Sequence, residues 1–194
     1  MITQIPGTDA DTKATFVTEE NLQVQNSYNI NVYSPYTITK WWNGNINATA
    51  FYLGFISNGL EGGNLNKGQA AYQLRATETF LPFAGYKAEL TGDYQSALTY
   101  GLFSVKPRYG VDAGISHSFD HKKASLKFSV SDIFNTRTDN VSSNYEGTNL
   151  IINQKHETRI ARLTLNYNFG DNKIQAHRRQ TGADDEKGRV KGAN

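Results

Sequence analysis

Apolar and polar residues alternate with a period of two along most of the chain. From Ser27 onward, Tyr28, Ile30, Val32, Tyr36 and Ile38 fall on one face, with Asn29, Asn31, Tyr33 and Thr37 on the other. Successive side chains of a strand point to opposite faces, so this pattern predicts a β-strand with one apolar side. Pro35 inside the run predicts a bulge or a gap in the ladder. The second run, Asn45 to Ile56, alternates through Ile46, Ala48, Ala50 and Tyr52, then turns apolar on both faces at Phe51, Leu53 and Phe55. The third sets Tyr72, Leu74, Ala76 and Phe80 against Gln73, Arg75, Thr77 and Thr79, and Glu78 breaks its apolar row. In the fourth, Tyr86, Ala88, Leu90, Gly92 and Tyr94 oppose Lys87, Glu89, Thr91, Asp93 and Gln95. The fifth sets Tyr109, Val111, Ala113, Ile115 and Phe119 against Arg108, Asp112, Gly114, Ser116 and Ser118. The sixth carries Leu126, Phe128, Val130 and Phe134 against Lys127, Ser129 and Ser131, and the seventh Leu163, Leu165, Tyr167 and Phe169 against Arg162, Thr164, Asn166 and Asn168. Ala14 to Val17 reads as the end of an eighth strand.

The links between runs alternate in length. Short ones fall at Lys40–Gly44, Leu81–Gly85 and Asp120–Lys123, and longer Gly-, Asn- and Ser-rich ones at Ser57–Gly68, Ala97–Ser104 and Thr138–Asn149. Hairpin-length links predict an antiparallel meander with tight turns at one end and long loops at the other. Two architectures fit. A soluble sandwich or barrel turns the apolar face inward, whereas a transmembrane barrel turns it to lipid around a wet lumen. Runs of roughly 10–14 residues exceed the usual soluble strand of about 5–6 and suffice for a tilted spanning strand of about 9–11. Aromatics gather at the short-turn end (Tyr36, Trp41, Trp42, Phe80, Phe83, Tyr86, Phe119, Tyr167 and Phe169), as a membrane interface requires. On the membrane reading, Leu90 and Val111 face lipid at mid-strand.

Composition narrows the choice of class. With 11 Tyr, 10 Phe and 12% aromatics in 194 residues, the chain is neither a helix bundle nor disordered. The lack of Cys excludes disulfides, thiolate metal sites and a Cys nucleophile. The net charge of +2 hides an asymmetry: residues 173–194 carry six basic and three acidic side chains, and residues 1–172 fourteen and fifteen. The body is therefore not a basic nucleic-acid-binding surface, and the Arg178-Arg179 tail reads as a solvated polar end. No stretch has the length of an apolar spanning helix, the longest being Ala48 to Ile56, and Met1 to Lys13 has no signal-peptide pattern.

No catalytic or metal constellation emerges. His117, His121, His156 and His177 share no ligand spacing, and His117 and His121 read as turn residues near Asp120. Ser131-Asp132 lacks a nucleophile elbow, and Gly59, Gly62, Gly63 and Gly68 lack the Gly-Lys-Ser/Thr of a phosphate loop. The chain is read as non-enzymatic and without a cofactor.

Several stretches carry a resemblance. They are Thr39-Lys40-Trp41-Trp42-Asn43, Gly62-Gly63-Asn64-Leu65, Ala88-Glu89-Leu90 with Tyr94-Gln95-Ser96, and Gly101-Leu102-Phe103 with Lys106-Pro107. The most specific are Val130-Ser131-Asp132-Ile133-Phe134-Asn135-Thr136 and the run from Arg159 to Tyr167-Asn168-Phe169-Gly170. From about residue 20 onward the chain resembles the C-terminal part of Bacteroidota outer-membrane β-barrels of the TonB-dependent receptor type. The resemblance implies an all-β section of a barrel of about 22 strands with a plugged lumen. It also implies import of a scarce ligand across the outer membrane. The implied partners are outer-membrane lipid, the N-terminal barrel strands and plug, an inner-membrane energy-transducing complex and a surface lipoprotein, with no nucleic acid. Signal peptide, plug and energy-coupling box have no counterpart here, and about seven strands cannot close alone where barrels have even numbers. The chain is thus expected to be a C-terminal fragment, with residues 1–25 a loop and truncated strand end, 26–170 barrel strands and 171–194 a flexible polar tail. The alternative is a secreted or soluble β-sandwich binding module of adhesin type.

The wet faces of the third, fourth and fifth runs hold the candidate site. A hairpin register that sets Asp93 opposite Arg108 also sets Glu89 opposite Asp112, a like-charge pair that needs a cation. Arg75, brought diagonally near Glu89 by the Leu81–Gly85 turn, is the expected one. Arg75, Lys87, Glu89, Asp93, Arg108 and Asp112 are therefore predicted to form a lumenal charge cluster.

Overall fold

A computed structural model of the chain describes residues 2–9, 11–21, 24–60, 63–119, 123–145 and 148–169. Residues 170–194, with the polar tail and His177, and residues 120–122, with Asp120 and His121, lie outside the described residues. The described residues form strands, turns and loops without a helix. Strands β1 (Ile2–Thr8) and β2 (Thr15–Asn21) make a hairpin. Four longer strands follow: β3 (Val24–Thr39), β4 (Trp42–Leu60), β5 (Gly63–Phe80) and β6 (Tyr86–Gln95). Then come the short β7 (Leu98–Tyr100) and β8 (Phe103–Val105), and β9 (Arg108–Phe119) with β10 (Ala124–Val130). The last are β11 (Asp139–Tyr145), β12 (Thr148–Gln154) and β13 (Ala161–Tyr167).

Seven of these build one antiparallel sheet in the order β13-β10-β9-β6-β5-β4-β3. They follow the seven alternating runs of the sequence in the expected meander, but β10 and β13 are only seven residues long, and Phe134 and Phe169, read as parts of the sixth and seventh runs, lie beyond their ends. The sheet is open: β3 and β13 each have one edge unpaired among the described residues.

The two faces differ as a membrane wall requires. Tyr28, Ile30, Val32, Leu90, Ile115, Phe128, Leu163 and Leu165 are all exposed, and no second sheet of the described residues covers them. The packed apolar interior that defines a sandwich is absent from this face. Rings line its short-turn end: Trp41 stacks on Trp42 at 6.1 Å, Trp42 meets Phe80 at 5.6 Å, and Tyr86, His117 and Phe119 follow at 4.1 and 5.9 Å. A second row, which the periodicity did not single out, crosses the other end. Tyr28 meets Tyr52 at 6.4 Å, Tyr72 stacks on Tyr94 at 5.6 Å, and Tyr94 pairs with Tyr109. Eight residues separate the rows on β3 (Tyr28 to Tyr36), on β5 (Tyr72 to Phe80) and on β6 (Tyr86 to Tyr94). With a rise of about 3.3 Å and a tilt of about 45°, they stand roughly 20 Å apart, near the height of an outer-membrane apolar band.

Beyond the second row the structure departs from the sequence reading. Most of the expected Ser57–Gly68 loop is strand: β4 and β5 stay paired to Ser57↔Leu65, and Leu60 pairs with Gly63. Ala97–Ser104 and Thr138–Asn149 hold hairpins that join through β8 and β11 into a second sheet, β12-β11-β8-β7. Ala14 to Val17 runs into β2 of the first hairpin rather than ending a spanning strand. At that hairpin's turn, the Asp9 carboxylate accepts hydrogen bonds from the Thr12 amide, the Thr12 hydroxyl and the Asp11 amide. These bonds, the Thr12 amide foremost, hold its pKa below the ordinary value. A buried apolar cluster lies here, above the band: Ile5, Phe55, Leu65 and Leu102, with Leu53 and Tyr145 against them.

Two smaller expectations are corrected. Pro35 pairs regularly with Asn45, and the irregularity falls between Thr37 and Thr39. Because β3 is an edge strand, a missing N–H there leaves the ladder intact. The first tight turn is only Lys40 and Trp41, since β4 begins at Trp42.

Candidate functional site

The polar face is laid out in rows by the register. One row runs Asn47↔Arg75↔Asp93↔Gly110 across β4, β5, β6 and β9. The next toward the long-loop end is Thr49↔Gln73↔Gln95↔Arg108, and toward the short turns comes Asn45↔Thr77↔Thr91↔Asp112. Cross-strand hydrogen bonds tie them: Gln73 to Gln95 at 3.2 Å, Thr77 to Thr91 at 3.2 Å, and Asn31 to Asn47 and Thr49 at 2.9 and 2.6 Å. Asn45, Asn47, Thr49, Gln73, Gln95, Asp93 and Asp112 border an open groove of about 670 Å³ with Tyr33, Arg75, Arg108 and Arg137.

All six expected residues lie on this face, but the register separates them differently. β6 and β9 are offset by two residues from the expected pairing: Asp93 lies opposite Gly110, not Arg108, and Glu89 lies opposite Gly114, not Asp112. The like-charge clash therefore does not arise. An offset of two keeps every side chain on its face, so the facing survives while the partners change. Nor is Arg75 beside Glu89: it pairs with Asp93, and Thr79 takes the position opposite Glu89. Glu89 is neutralised by Lys87 at 2.9 Å and Lys127 at 3.2 Å, and Arg108 reaches Asp139 at 2.8 Å. Arg75 has no ion pair among the described residues.

The residue that organises the cluster is Arg137, which sequence reasoning missed. Its guanidinium grips Asp112 through two nitrogens at 2.6 and 3.1 Å and also binds Asp93. It gets there from the segment after β10, where Ser131 to Thr136 folds against β9. The Ile133 amide donates to the Val111 carbonyl at 2.9 Å, and the Thr136 hydroxyl to the Tyr109 carbonyl at 3.0 Å. Asp132 and Asn135 adopt left-handed φ of 45° and 56°, a conformation that Asn and Asp tolerate best among residues with a Cβ. The Asp132 side chain has no exposed surface. It accepts bonds from the Thr136 amide at 2.8 Å, the Arg137 amide at 3.1 Å and the Thr158 hydroxyl at 2.5 Å, while its own amide donates to Asp112 at 2.8 Å. Lys155 closes the segment by donating to the Asn135 and Arg137 carbonyls, both at 2.8 Å.

One signal for this crossing stood in the sequence: Gly110 interrupts the polar row between Arg108 and Asp112. A Cβ there would lie 2.6 Å from Arg137 Cζ, so the guanidinium passes over the bare backbone. Gly110→Val is expected to displace Arg137 and destabilise the folded protein by about 2 kcal/mol, through two half-buried carboxylates left unpaired. Gly92→Ala should be nearly silent, because nothing lies within 4 Å of its added Cβ. Urea unfolding in lipid vesicles compares the two, and equal effects would contradict the crossing.

An exposed apolar band between two aromatic rows, backed by a polar and charged inner face, is the build of a transmembrane β-barrel wall. The comparison with known families agrees: residues 1–167 match the outer membrane protein beta-barrel family. The chain belongs to that family and is an outer-membrane protein. No curated protein and no solved structure gives a significant match.

Proposed function

We propose that this chain is a wall section of an outer-membrane import barrel of the TonB-dependent receptor type, from a member of the Bacteroidota. The observation that carries this reading is the open seven-stranded sheet with a charged inner face. A barrel wall must close, and a lumen lined with paired charges and amides suits contact with a plug and a polar solute better than a small, side-chain-filled barrel. The resemblance of Ser131 to Thr136 and of Arg159 to Gly170 supports the receptor type. Further barrel strands, a plug, an inner-membrane energy-transducing complex and a surface lipoprotein are the partners on this reading. The lumenal residues, Arg75 and the Arg137–Asp93–Asp112 group among them, meet plug and ligand. Short turns of such barrels face the periplasm and long loops the exterior, so the β8–β11 sheet stands outside the cell.

The test uses outer membranes of the producing cells, extracted in mild detergent. The chain is expected in one particle with the further strands and the plug, and imaging should count about 22 strands. A monodisperse barrel of seven or eight strands, or a monomer stable without detergent, would overturn the proposal.

A further inference from the structure

Glu78 stands on the lipid side of the sheet. It occupies the outward row of β5 with Tyr72, Leu74, Ala76 and Phe80, and its cross-strand neighbours there are Gly44 and Leu90. A carboxylate facing lipid needs an explanation, because the outer surface of a barrel wall is otherwise apolar. Its two oxygens are held separately: Trp42 Nε1 donates to Oε2 at 2.7 Å, and the Tyr36 hydroxyl donates to Oε1. Gly44, between Tyr36 and Glu78 in the ladder, makes the room. A Cβ there would lie 2.7 Å from Glu78 Oε2 and 2.8 Å from the Tyr36 oxygen.

Both donors are neutral, and no cation among the described residues pairs with Glu78. The carboxylate is oriented but not neutralised. Its depth is set by Phe80, the last residue of β5 and a member of the short-turn aromatic row. Two residues of tilted strand place Glu78 about 5 Å inside that row, at the boundary between headgroups and acyl chains. Charge there is far less costly than at the bilayer centre. Trp41, Trp42 and Phe80, with ring centroids 5.6 to 6.4 Å apart, stand beside it and offer faces that attract a cation.

We propose that Glu78, with Tyr36, Trp42 and Gly44, forms a binding site for a phospholipid whose headgroup carries a primary ammonium. A carboxylate already holding one donor on each oxygen keeps further lone pairs for an ammonium that brings both charge and N–H groups. An anionic glycerol headgroup would be repelled. The occupant comes from the leaflet at the short-turn end, the periplasmic one, because the site lies at that end of the apolar band. This inference rests on the outward face and the barrel family, not on the import reading.

The test uses the full protein extracted from its native membrane. It is offered equal amounts of phosphatidylethanolamine, N-acetylated phosphatidylethanolamine and phosphatidylglycerol, and retained lipids are read by native mass spectrometry. Phosphatidylethanolamine should be retained about fivefold over either of the others, the size of one interfacial charge-assisted contact. Glu78→Gln, which keeps size and an acceptor oxygen, should bring all three to one level. Equal retention of the three lipids by the wild type, or an undiminished preference in Glu78→Gln, would overturn the site. Should that variant not assemble, the wild-type comparison with the N-acetylated lipid, which carries a neutral acetamide in place of the ammonium, decides the question.

Discussion

Asp132→Ala is expected to destabilise the folded barrel by about 3 kcal/mol, the upper range for a buried group that satisfies several donors. Alanine leaves the Thr136 and Arg137 amides without the acceptor that closes the turn. It also removes the partner of the Thr158 hydroxyl and sits poorly at a φ of 45°. The effect reaches the lumen, since the same turn delivers Arg137 to Asp93 and Asp112. Asp132→Asn tolerates the backbone but turns an NH2 donor toward either the Thr136 donors or the Arg137 amide and Thr158 hydroxyl, so it should cost less than alanine while recovering only part of the loss. Urea unfolding of the full protein in vesicles gives both values. An alanine variant within about 0.5 kcal/mol of wild type would mean that the buried carboxylate does not hold the turn.

Phe128→Arg should be of similar size, roughly 2–4 kcal/mol, while Thr91→Arg should fall well below 1 kcal/mol. Phe128 is 48% exposed on the outward face, between Ile115 and Leu163, so an arginine there meets only apolar neighbours and lipid. Thr91 points to the wet side opposite Asp112, where a cation is welcome. Leu90, also outward at mid-strand, is a poorer probe, because Glu78 lies directly across and would pair with the introduced charge. The measurement is again unfolding in vesicles, and equal penalties at the two sites would reverse the assigned faces.

The seven strands of the main sheet and their facing were legible because lipid on one side and water on the other impose a strict period of two. Where that constraint ends, so did legibility. Residues 57–60 and 63–68 are strand in the structure, yet their glycines and asparagines read as loop. A ribbon above the membrane has no lipid face, so nothing enforces alternation there. The β6–β9 register was missed by two residues for a related reason. The Ala97–Ser104 link folds into β7 and β8, and a link that carries its own hairpin does not fix the offset of the strands it joins. Of the site, the six wall residues were visible because they sit in alternating rows. Arg137 was not, because it arrives from a turn whose side chains obey no strand parity; only the gap at Gly110 marked its path.

The β8–β11 seam has a consequence for the order in which the chain assembles. β3, β4 and β5 each pair with the next strand in the chain, so their ladders can close by short-range zipping. The seam joins Phe103–Val105 to Val141–Ser143, with the whole β9–β10 hairpin between them, and consists of three residue pairs. Such a distant, brief contact gains too little to offset chain closure until β9 and β10 are in place. It should therefore form last during insertion and be the first pairing to exchange its amide protons in the finished protein.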